Sequence, residues 1–317
     1  MIKVSAGTAE RLKLKEFKID DATTTAYLLD GDRCCNNCGF CPQARESESN
    51  LELLARIIWP SFSEEKVLEN LKIAYEDEKI KRVCVQVTNS GEAFERSKEL
   101  VKAIREQSSI PISVASNINN MEKIRKLLEH GANKVCVAMD AATEKVHSEV
   151  KGNNYHDKKK LLKECAKEFK GKLSTHFIVG LGETEEEVIR EIQTMYNMDI
   201  TVGLFAFTPI KGTRMANWSS PEIGHYRRVQ IANYLLKNKY VNINDFQFEK
   251  GTLIGIQKDK EEIVSILSKG EAFQTAGCPE CNRPYYNEKP GGIMYNYPRS
   301  LEGEEVKEAI KESQLFN

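Results

Sequence analysis

The feature that most constrains the fold is an even alternation between short apolar runs and longer amphipathic, charged runs. Eight apolar runs are predicted strands: 23–30, 82–88, 110–116, 134–140, 173–180, 201–209, 241–249 and 272–276. Strands that alternate with helices indicate a parallel sheet with right-handed crossovers. Eight such units within about 250 residues predict a closed α/β barrel of the (β/α)8 TIM type.

The chain is predicted to form one domain. Its 317 residues contain no low-complexity linker, and a chain of this length buries a full core without disulfide staples. Segments 1–23 and 277–317 flank the predicted barrel as N-terminal and C-terminal extensions.

The charge balance argues against polyanionic partners. Lys and Arg number 46 and Asp and Glu number 47, so the chain has no overall attraction to nucleic acid or to a membrane surface. The N-terminal segment turns polar almost at once, and the longest apolar runs are far shorter than a bilayer requires. We therefore expect a cytoplasmic protein that binds neither nucleic acid nor membrane. In that reducing compartment, nine cysteines favour metal or redox chemistry over disulfides.

A cysteine-rich loop, "RCCNNCGFCPQAR", follows the first predicted strand. Cys34, Cys38 and Cys41 have the spacing Cys-x3-Cys-x2-Cys, and three thiolates in one short loop hold three irons of a cubane and leave the fourth iron open. Zinc is the alternative, but four-Cys zinc sites usually consist of two close pairs. In a TIM-type barrel this loop lies at the C-terminal face, where active sites gather.

The loop resembles the signature of the radical S-adenosylmethionine (SAM) superfamily, Cys-x3-Cys-x-aromatic-Cys, with Phe40 in the aromatic place. It is similar to the biotin synthase-like branch, in which "CPQAR" commonly follows the cluster. The resemblance implies a [4Fe-4S] cluster that binds SAM. It also implies a 5′-deoxyadenosyl radical that removes hydrogen from an unactivated carbon, in an enclosed site that excludes water.

The same resemblance implies further SAM-binding residues. "NSGEAF" matches the element that meets the SAM amino group, "VAMDAA" the segment that binds the ribose, and "FIVGLGET" the glycine element along the adenine. A basic residue within 158–160 is a candidate partner of the SAM carboxylate, although a solvated helix face is the simpler interpretation. The cofactor-binding candidates are Phe40, Gly91, Glu92, Asp140, Ile178, Gly180, Gly182 and Phe207.

A second pair, Cys278 and Cys281 in "GCPECNRPYY", follows the eighth predicted strand, which a closed barrel places beside the first. Beside a radical SAM loop, the pair is predicted to bind an auxiliary [4Fe-4S] cluster at the same mouth; half a zinc ribbon is the alternative. Strand alternation turns Cys84 toward the barrel interior, which makes it the preferred third ligand. Cys35, Cys136 and Ser300 are further candidates.

The C-terminal segment, with "CNRPYYNE" and "YNYP", resembles the archaeal two-component lipoyl synthases. The resemblance implies sulfur insertion into a protein-bound octanoyl chain, with the auxiliary cluster as the sulfur donor. It also implies an octanoylated carrier protein or lipoyl domain, a paralogous radical SAM partner and an electron donor such as ferredoxin. Other biotin synthase-like reactions (biotin synthase, methylornithine synthase or hydrogenase maturase type) and a zinc-stabilised binding module are the alternatives.

Overall fold

The computed structural model describes residues 1–288 and 291–316. Lys289, Pro290 and Asn317, which fall in the predicted C-terminal extension, lie outside the described residues. The strands are β1 Ile2–Val4, β2 Thr25–Asp30, β3 Leu53–Leu54, β4 Ile57–Ile58, β5 Ser61–Phe62, β6 Arg82–Val87, β7 Ile112–Ala115, β8 Lys134–Cys136, β9 Leu173–Val179, β10 Thr201–Ala206, β11 Phe246–Glu249 and β12 Thr252–Ile256.

Helices follow most of these strands along the chain. They are α1 Ala6–Arg11, α2 Glu64–Glu76, α3 Ala93–Gln107, α4 Met121–Glu129, α5 Glu144–Val150, α6 Tyr155–Glu168, α7 Glu185–Asn197, α8 Ile223–Lys237, α9 Lys260–Leu267 and α10 Gly303–Glu312, with 3₁₀ turns at Ile243–Asp245 and Glu271–Phe273. Within residues 1–288 and 291–316, none of these helices combines the length and apolar character needed to cross a bilayer.

The central sheet has eight strands in the order β10-β9-β8-β7-β6-β2-β1-β5. The six from β10 to β2 pair in parallel, as the strand–helix alternation predicts. The two at the edge, β1 and β5, are antiparallel, so the predicted N-terminal extension contributes a strand to the sheet. The α/β TIM-type fold class is confirmed.

Strand β6 shows how the sequence separates the two faces of the sheet. Val83, Val85 and Val87 are buried in the core beneath the helices. Cys84 and Gln86 alternate with them and line the cavity inside the barrel, as the period of two predicts. The polar face therefore carries the chemistry, and the apolar face holds the helices.

The predicted seventh and eighth strands are wrong. The seventh, 241–249, contributes β11, which pairs with β12 as a separate antiparallel hairpin. Lys250 and Gly251 both have positive φ, the backbone of a tight hairpin turn, and this turn sends the chain back on itself. In the eighth, 272–276, a 3₁₀ turn is followed by a single bridge between Gln274 and Tyr297.

A loop takes the place that the missing strands were expected to fill. The hydroxyls of Thr24 and Thr25, at the start of β2, each donate to the Glu280 carbonyl at 2.7 Å. On the other side, the Arg283 guanidinium donates to the Leu204 carbonyl of β10 at 3.0 Å. Residues 277–283 thus lie between the first and last parallel strands.

This loop corrects the predicted position of the second cysteine pair. Cys278 lies against Ser113, the second residue of β7, whereas Cys34, Cys38 and Cys41 follow the C-terminal end of β2. The pair is therefore inside the barrel toward the N-terminal ends of the strands, and the first cysteine loop is at the opposite end.

Gly212 fixes the segment after the first cysteine loop, and its replacement by Ala is expected to destabilise the fold. Its φ is +87°, and an added Cβ would lie 2.7 Å from the Ser49 backbone nitrogen. An alanine in this left-handed backbone conformation should cost about 1–2 kcal/mol of folding free energy. Overpacking by the added Cβ should cost about 1–3 kcal/mol more. Gly171→Ala is the control because φ there is +67° with nothing within 4 Å. Urea denaturation should show a clearly larger loss for Gly212→Ala; equal losses would contradict the packing argument.

Candidate active site

The first cysteine loop is held in shape by main-chain hydrogen bonds and one arginine. The Cys41 N–H donates to the Cys38 carbonyl at 3.1 Å, which turns the chain tightly between those two thiols. The Arg33 guanidinium donates to the carbonyl oxygens of Ala44 at 2.9 Å and Ser47 at 2.6 Å. The loop is thereby tied at both ends before any ligand binds.

The three thiols of the loop line one cavity of about 900 Å³, open mouth included. Burial raises the pKa of Cys38 to about 11 and that of Cys41, which also faces Cys38, to about 12. Both are therefore neutral thiols at pH 7 that release protons when a metal binds. Cys34 completes the set. Cys35 is exposed and does not line this cavity.

Asp140 is the anionic centre of the same cavity. It is buried with a φ of +66°, and its carboxylate accepts from Lys151 and, at 2.5 Å, from His176 Nε2. Burial alone would raise the pKa of Asp140, but Lys151 and His176 hold it well below its usual range. Burial alone would lower the pKa of His176, but Asp140 raises it to about 9. The carboxylate is thus ionised and fixed by two cationic partners.

Lys158, a candidate from the basic run on α6, points into this cavity. Its ammonium donates to the Ala138 carbonyl at 2.7 Å, and it lines the cavity with the three thiols. Burial, and then the neighbouring Lys151, lower the pKa of Lys158 to about 7. A carboxylate bound beside it would restore the charged form. Sequence reasoning missed Lys151, because nothing in the local pattern distinguishes this lysine, whose side chain is largely buried, from the many lysines that are exposed.

Three predicted cofactor residues form an apolar wall. Phe207 is fully buried, and Phe40 and Ile178 pack with it in one cluster. All three side chains also line the large cavity inside the barrel. The Ile178 N–H donates to the Asp140 carbonyl at 2.8 Å, and Asp140 lines the same cavity, so this wall can hold a flat aromatic group beside the carboxylate.

Four predicted cofactor residues are placed elsewhere. Gly91 and Glu92 are exposed and line a separate surface depression near Arg96. At Gly180, φ is +101° and a Cβ would lie 2.9 Å from Pro221, so the glycine is needed for backbone packing. Gly182 also has positive φ and borders none of the cavities that the cysteines line.

A second group of thiols lies deeper in the barrel. Cys84, Cys136, Cys278 and Cys281 all line a cavity of about 1220 Å³, open mouth included, and Cys41 of the first loop borders the same cavity. Burial raises the pKa of Cys84 well above its usual range, with added contributions from Cys281, Cys278 and Cys136 in that order. The four thiols therefore border one shared space.

Each of the other three deep thiols contacts a polar side chain. The Ser113 hydroxyl donates to Cys278 Sγ at 3.6 Å, and Tyr27 Oη is 3.4 Å from Cys281 Sγ. Cys136 Sγ is 3.6 Å from Nδ1 of His176, whose other nitrogen bonds Asp140.

Among residues 1–288 and 291–316, no three His, Cys, Asp or Glu side chains are arranged to hold a single metal ion directly. A cubane binds each thiolate through a different iron, so its ligands stand further apart. Three thiols around one cavity fit such a cluster with an open iron. The deep thiols offer the same soft donors.

A model described as the radical SAM superfamily matches residues 28–195. The chain belongs to the radical SAM superfamily. The superfamily implies a [4Fe-4S] cluster and SAM, and Cys34, Cys38 and Cys41, which line one cavity, would hold that cluster. No curated protein matches the chain.

Solved structures of other proteins share the fold. Methylornithine synthase (PylB) is 16% identical over 74% of this chain and 66% of its own, with a TM-score of 0.52. The FeFe-hydrogenase maturase HydG from Carboxydothermus hydrogenoformans is 15% identical over 96% of this chain and 70% of its own, with a TM-score of 0.51. At these identities the similarity establishes the fold alone.

Replacing Lys158 with Met is expected to weaken SAM binding about 10- to 100-fold, because a charge-assisted hydrogen bond contributes about 1.5–3 kcal/mol. Lys160→Met is the matched control, since Lys160 lies on the same helix with its side chain 74% exposed. Equilibrium dialysis of labelled SAM against the reconstituted protein measures both affinities. If the Lys158→Met variant binds SAM with unchanged affinity, Lys158 does not pair with the SAM carboxylate.

Glu183→Gln is expected to flatten the pH dependence of stability. Burial raises the pKa of Glu183 to about 7 from an ordinary 4.5, so the folded state binds this proton more tightly. The resulting stability is fully present below pH 4.5 and is lost as pH rises through 7, by on the order of 3 kcal/mol. Denaturation of the metal-free protein between pH 4.5 and 8 should show this slope in wild type and in an exposed control, Glu164→Gln. A slope that persists in Glu183→Gln would contradict the assignment.

Proposed function

We propose that this radical SAM enzyme inserts sulfur at an unactivated C–H carbon of a protein-bound octanoyl chain, as a lipoyl synthase component. The observation that carries the proposal is the group of deep thiols on the same cavity as Cys41. A reaction that only rearranges carbon needs no second cluster. The thiols inside the barrel would bind a second cluster, and that cluster would be the source of sulfur.

The two ends of the cavity take different roles. Cys34, Cys38 and Cys41 would hold the SAM-binding cluster at the C-terminal face, and Cys84, Cys278 and Cys281 would hold the auxiliary [4Fe-4S] cluster below it. When bound, the first cluster and SAM supply the radical that removes hydrogen, and the second cluster supplies sulfur. The substrate carbon would lie between them.

The residues around the first loop would orient SAM. Asp140, kept ionised by Lys151 and His176, is placed to accept hydrogen bonds from ribose hydroxyls. Lys158 would pair with the carboxylate, and Phe207 would face the adenine. These contacts fix the reacting atoms in space, which is the main contribution that a protein makes to this chemistry.

The apolar part of the interior cavity suits an acyl chain. Phe205, Ile210 and Tyr286 line it, together with Leu54 and Ala55 from the β3–β4 hairpin. Tyr286 packs edge-on against Trp59, which is fully buried just after that hairpin. An apolar wall binds methylene groups and excludes water from a radical site.

The proposed reaction requires three partners that the chain does not contain. The octanoyl chain would arrive on a carrier protein or lipoyl domain. A ferredoxin-type donor would supply electrons, and a paralogous radical SAM protein would insert the other sulfur.

The direct test is an anaerobic incubation of the reconstituted protein with SAM, a reductant and an octanoyl-lysyl peptide. Mass spectrometry should show 5′-deoxyadenosine and a peptide that has gained sulfur. Formation of 5′-deoxyadenosine without sulfur in the peptide, either alone or with the paralogous partner, would overturn the substrate assignment. Activity on an amino-acid substrate instead would support a methylornithine synthase type of reaction.

A further inference from the structure

We propose that Cys136 is the fourth thiol of the interior site, so that Cys84, Cys136, Cys278 and Cys281 together bind the auxiliary cluster. We further propose that Arg82, Lys134 and Arg283 balance its negative charge. The inference rests on the proposed function only in requiring an interior cluster; it does not depend on the octanoyl substrate.

The position of Cys136 supports this ligand set. It is the last residue of β8, paired in register with Ala115 of β7 and Ser174 of β9. Its thiol lines the cavity that the other three thiols line. One ligand on β6, one on β8 and two on the 277–283 loop would surround the cluster from three sides.

The other candidates for the fourth ligand are not near this site. Cys35 is exposed within the first loop, where its N–H donates to the Asn89 carbonyl at 2.7 Å. Ser300 is exposed, and its carbonyl accepts from Arg299. Neither residue lines the interior cavity.

The charge around the thiols is the independent observation. Four thiolates on a cubane core of charge +2 carry a net charge of about −2, and a buried charge requires compensation. Arg82, Lys134 and Arg283 take part in no ion pair within the part of the chain that the structure describes. Three cations without an acidic partner, near the thiols, indicate that an anionic group binds there.

Hydrogen bonds aim Arg82 at the thiol-bearing loop. Arg82 Nε donates to the Pro279 carbonyl at 2.9 Å, and its Nη1 donates at 3.0 Å to Ser113, whose hydroxyl donates to Cys278 Sγ. Lys134 of β8 is paired in register with Ser113, and its ammonium donates to the Thr201 hydroxyl.

The third cation, Arg283, lies beside Cys281. Its guanidinium donates to the Ala276 carbonyl at 2.8 Å and stacks on the Phe205 ring at 3.9 Å. A guanidinium is always protonated in a protein. Arg283 therefore stays charged inside the barrel and presents that charge to the thiols.

The test isolates the interior cluster in full-length protein that carries Cys34→Ala, Cys38→Ala and Cys41→Ala together. After anaerobic reconstitution this parent should hold about four irons per chain. Adding Cys136→Ala should remove at least about one of them and should change the Mössbauer and EPR spectra. Cys136→Ser, which keeps the side-chain volume, guards against misfolding, and Cys35→Ala is the control that should change nothing.

Four irons with an unchanged Mössbauer spectrum in both Cys136 variants would overturn the ligand assignment while leaving the proposed function intact. If the parent protein binds no iron, the chain has no interior cluster, and the proposed function fails with it. For the charge, Arg283→Met in the same parent should shift the reduction potential of the cluster to more negative values, and Arg283→Lys should restore most of the shift. A potential that does not move in Arg283→Met would refute the role of that cation.

Discussion

Replacement of both Cys278 and Cys281 with Ala is expected to leave SAM cleavage intact and to abolish sulfur insertion. The two thiols lie inside the barrel, and Cys34, Cys38 and Cys41 do not depend on them for their hydrogen bonds. Iron should fall from about eight to about four per chain. Sulfur insertion should fall at least about 100-fold, because changes in the outer shell of a metal site alone cost 10- to 100-fold.

Two measurements on each sample separate the outcomes. Release of 5′-deoxyadenosine reports the first cluster, and peptide mass reports sulfur. Cys165→Ala is the control, since Cys165 is buried on α6 and lines neither thiol cavity. A double variant that keeps its full product yield would exclude the interior cluster as sulfur donor and would favour a carbon-skeleton reaction.

Asp140→Asn is expected to have the largest effect of any single substitution in the site. The carboxylate is buried between Lys151 and His176, and removal of its charge leaves two buried cations without compensation. Breaking a buried ion pair in this way costs about 3–5 kcal/mol. Asn tolerates the positive φ of this position, so backbone strain should not contribute.

The exposed pair of Asp77 and Lys79 provides the control. Asp77→Asn removes the same charge at a surface site, where ion pairs contribute about 0–1 kcal/mol. Urea denaturation at pH 7, where Asp140 is ionised because its pKa is depressed, measures both variants. Similar losses for the two substitutions would show that Asp140 is not the electrostatic centre of the cavity.

The sequence predicted the parallel part of the barrel because strand and helix periods are local properties. The valines of β6 alternate with Cys84 in the sequence and on the sheet alike. The two failed strands show where a local pattern is insufficient. Residues 246–249 have strand character, but the Lys250–Gly251 turn decides that their partner is β12.

The candidate site also has one part that the sequence predicted and another part that it did not. Spacing alone identified Cys34, Cys38 and Cys41, since their geometry is set within one loop. The sequence could not predict how deep in the barrel the second cysteine pair lies. Strand alternation turns Cys84 and Cys136 inward, but only the path of the 277–283 loop places Cys278 and Cys281 on the same cavity. Arg283 follows Cys281 by two residues in the sequence. A positively charged side chain so near a cysteine is a signal from which a cation beside the thiols could have been predicted. Gly91 and Glu92 were transferred from a family pattern, and the structure places them on a different surface.

Iron and sulfide analysis with Mössbauer spectroscopy of the anaerobically reconstituted wild-type protein tests the central claim most directly. Two cubane clusters, one on the Cys34 loop and one among the interior thiols, predict about eight irons and eight sulfides per chain, all in four-iron clusters. About four irons per chain, in a single cluster that the triple substitution of Cys34, Cys38 and Cys41 removes completely, would contradict the two-cluster account.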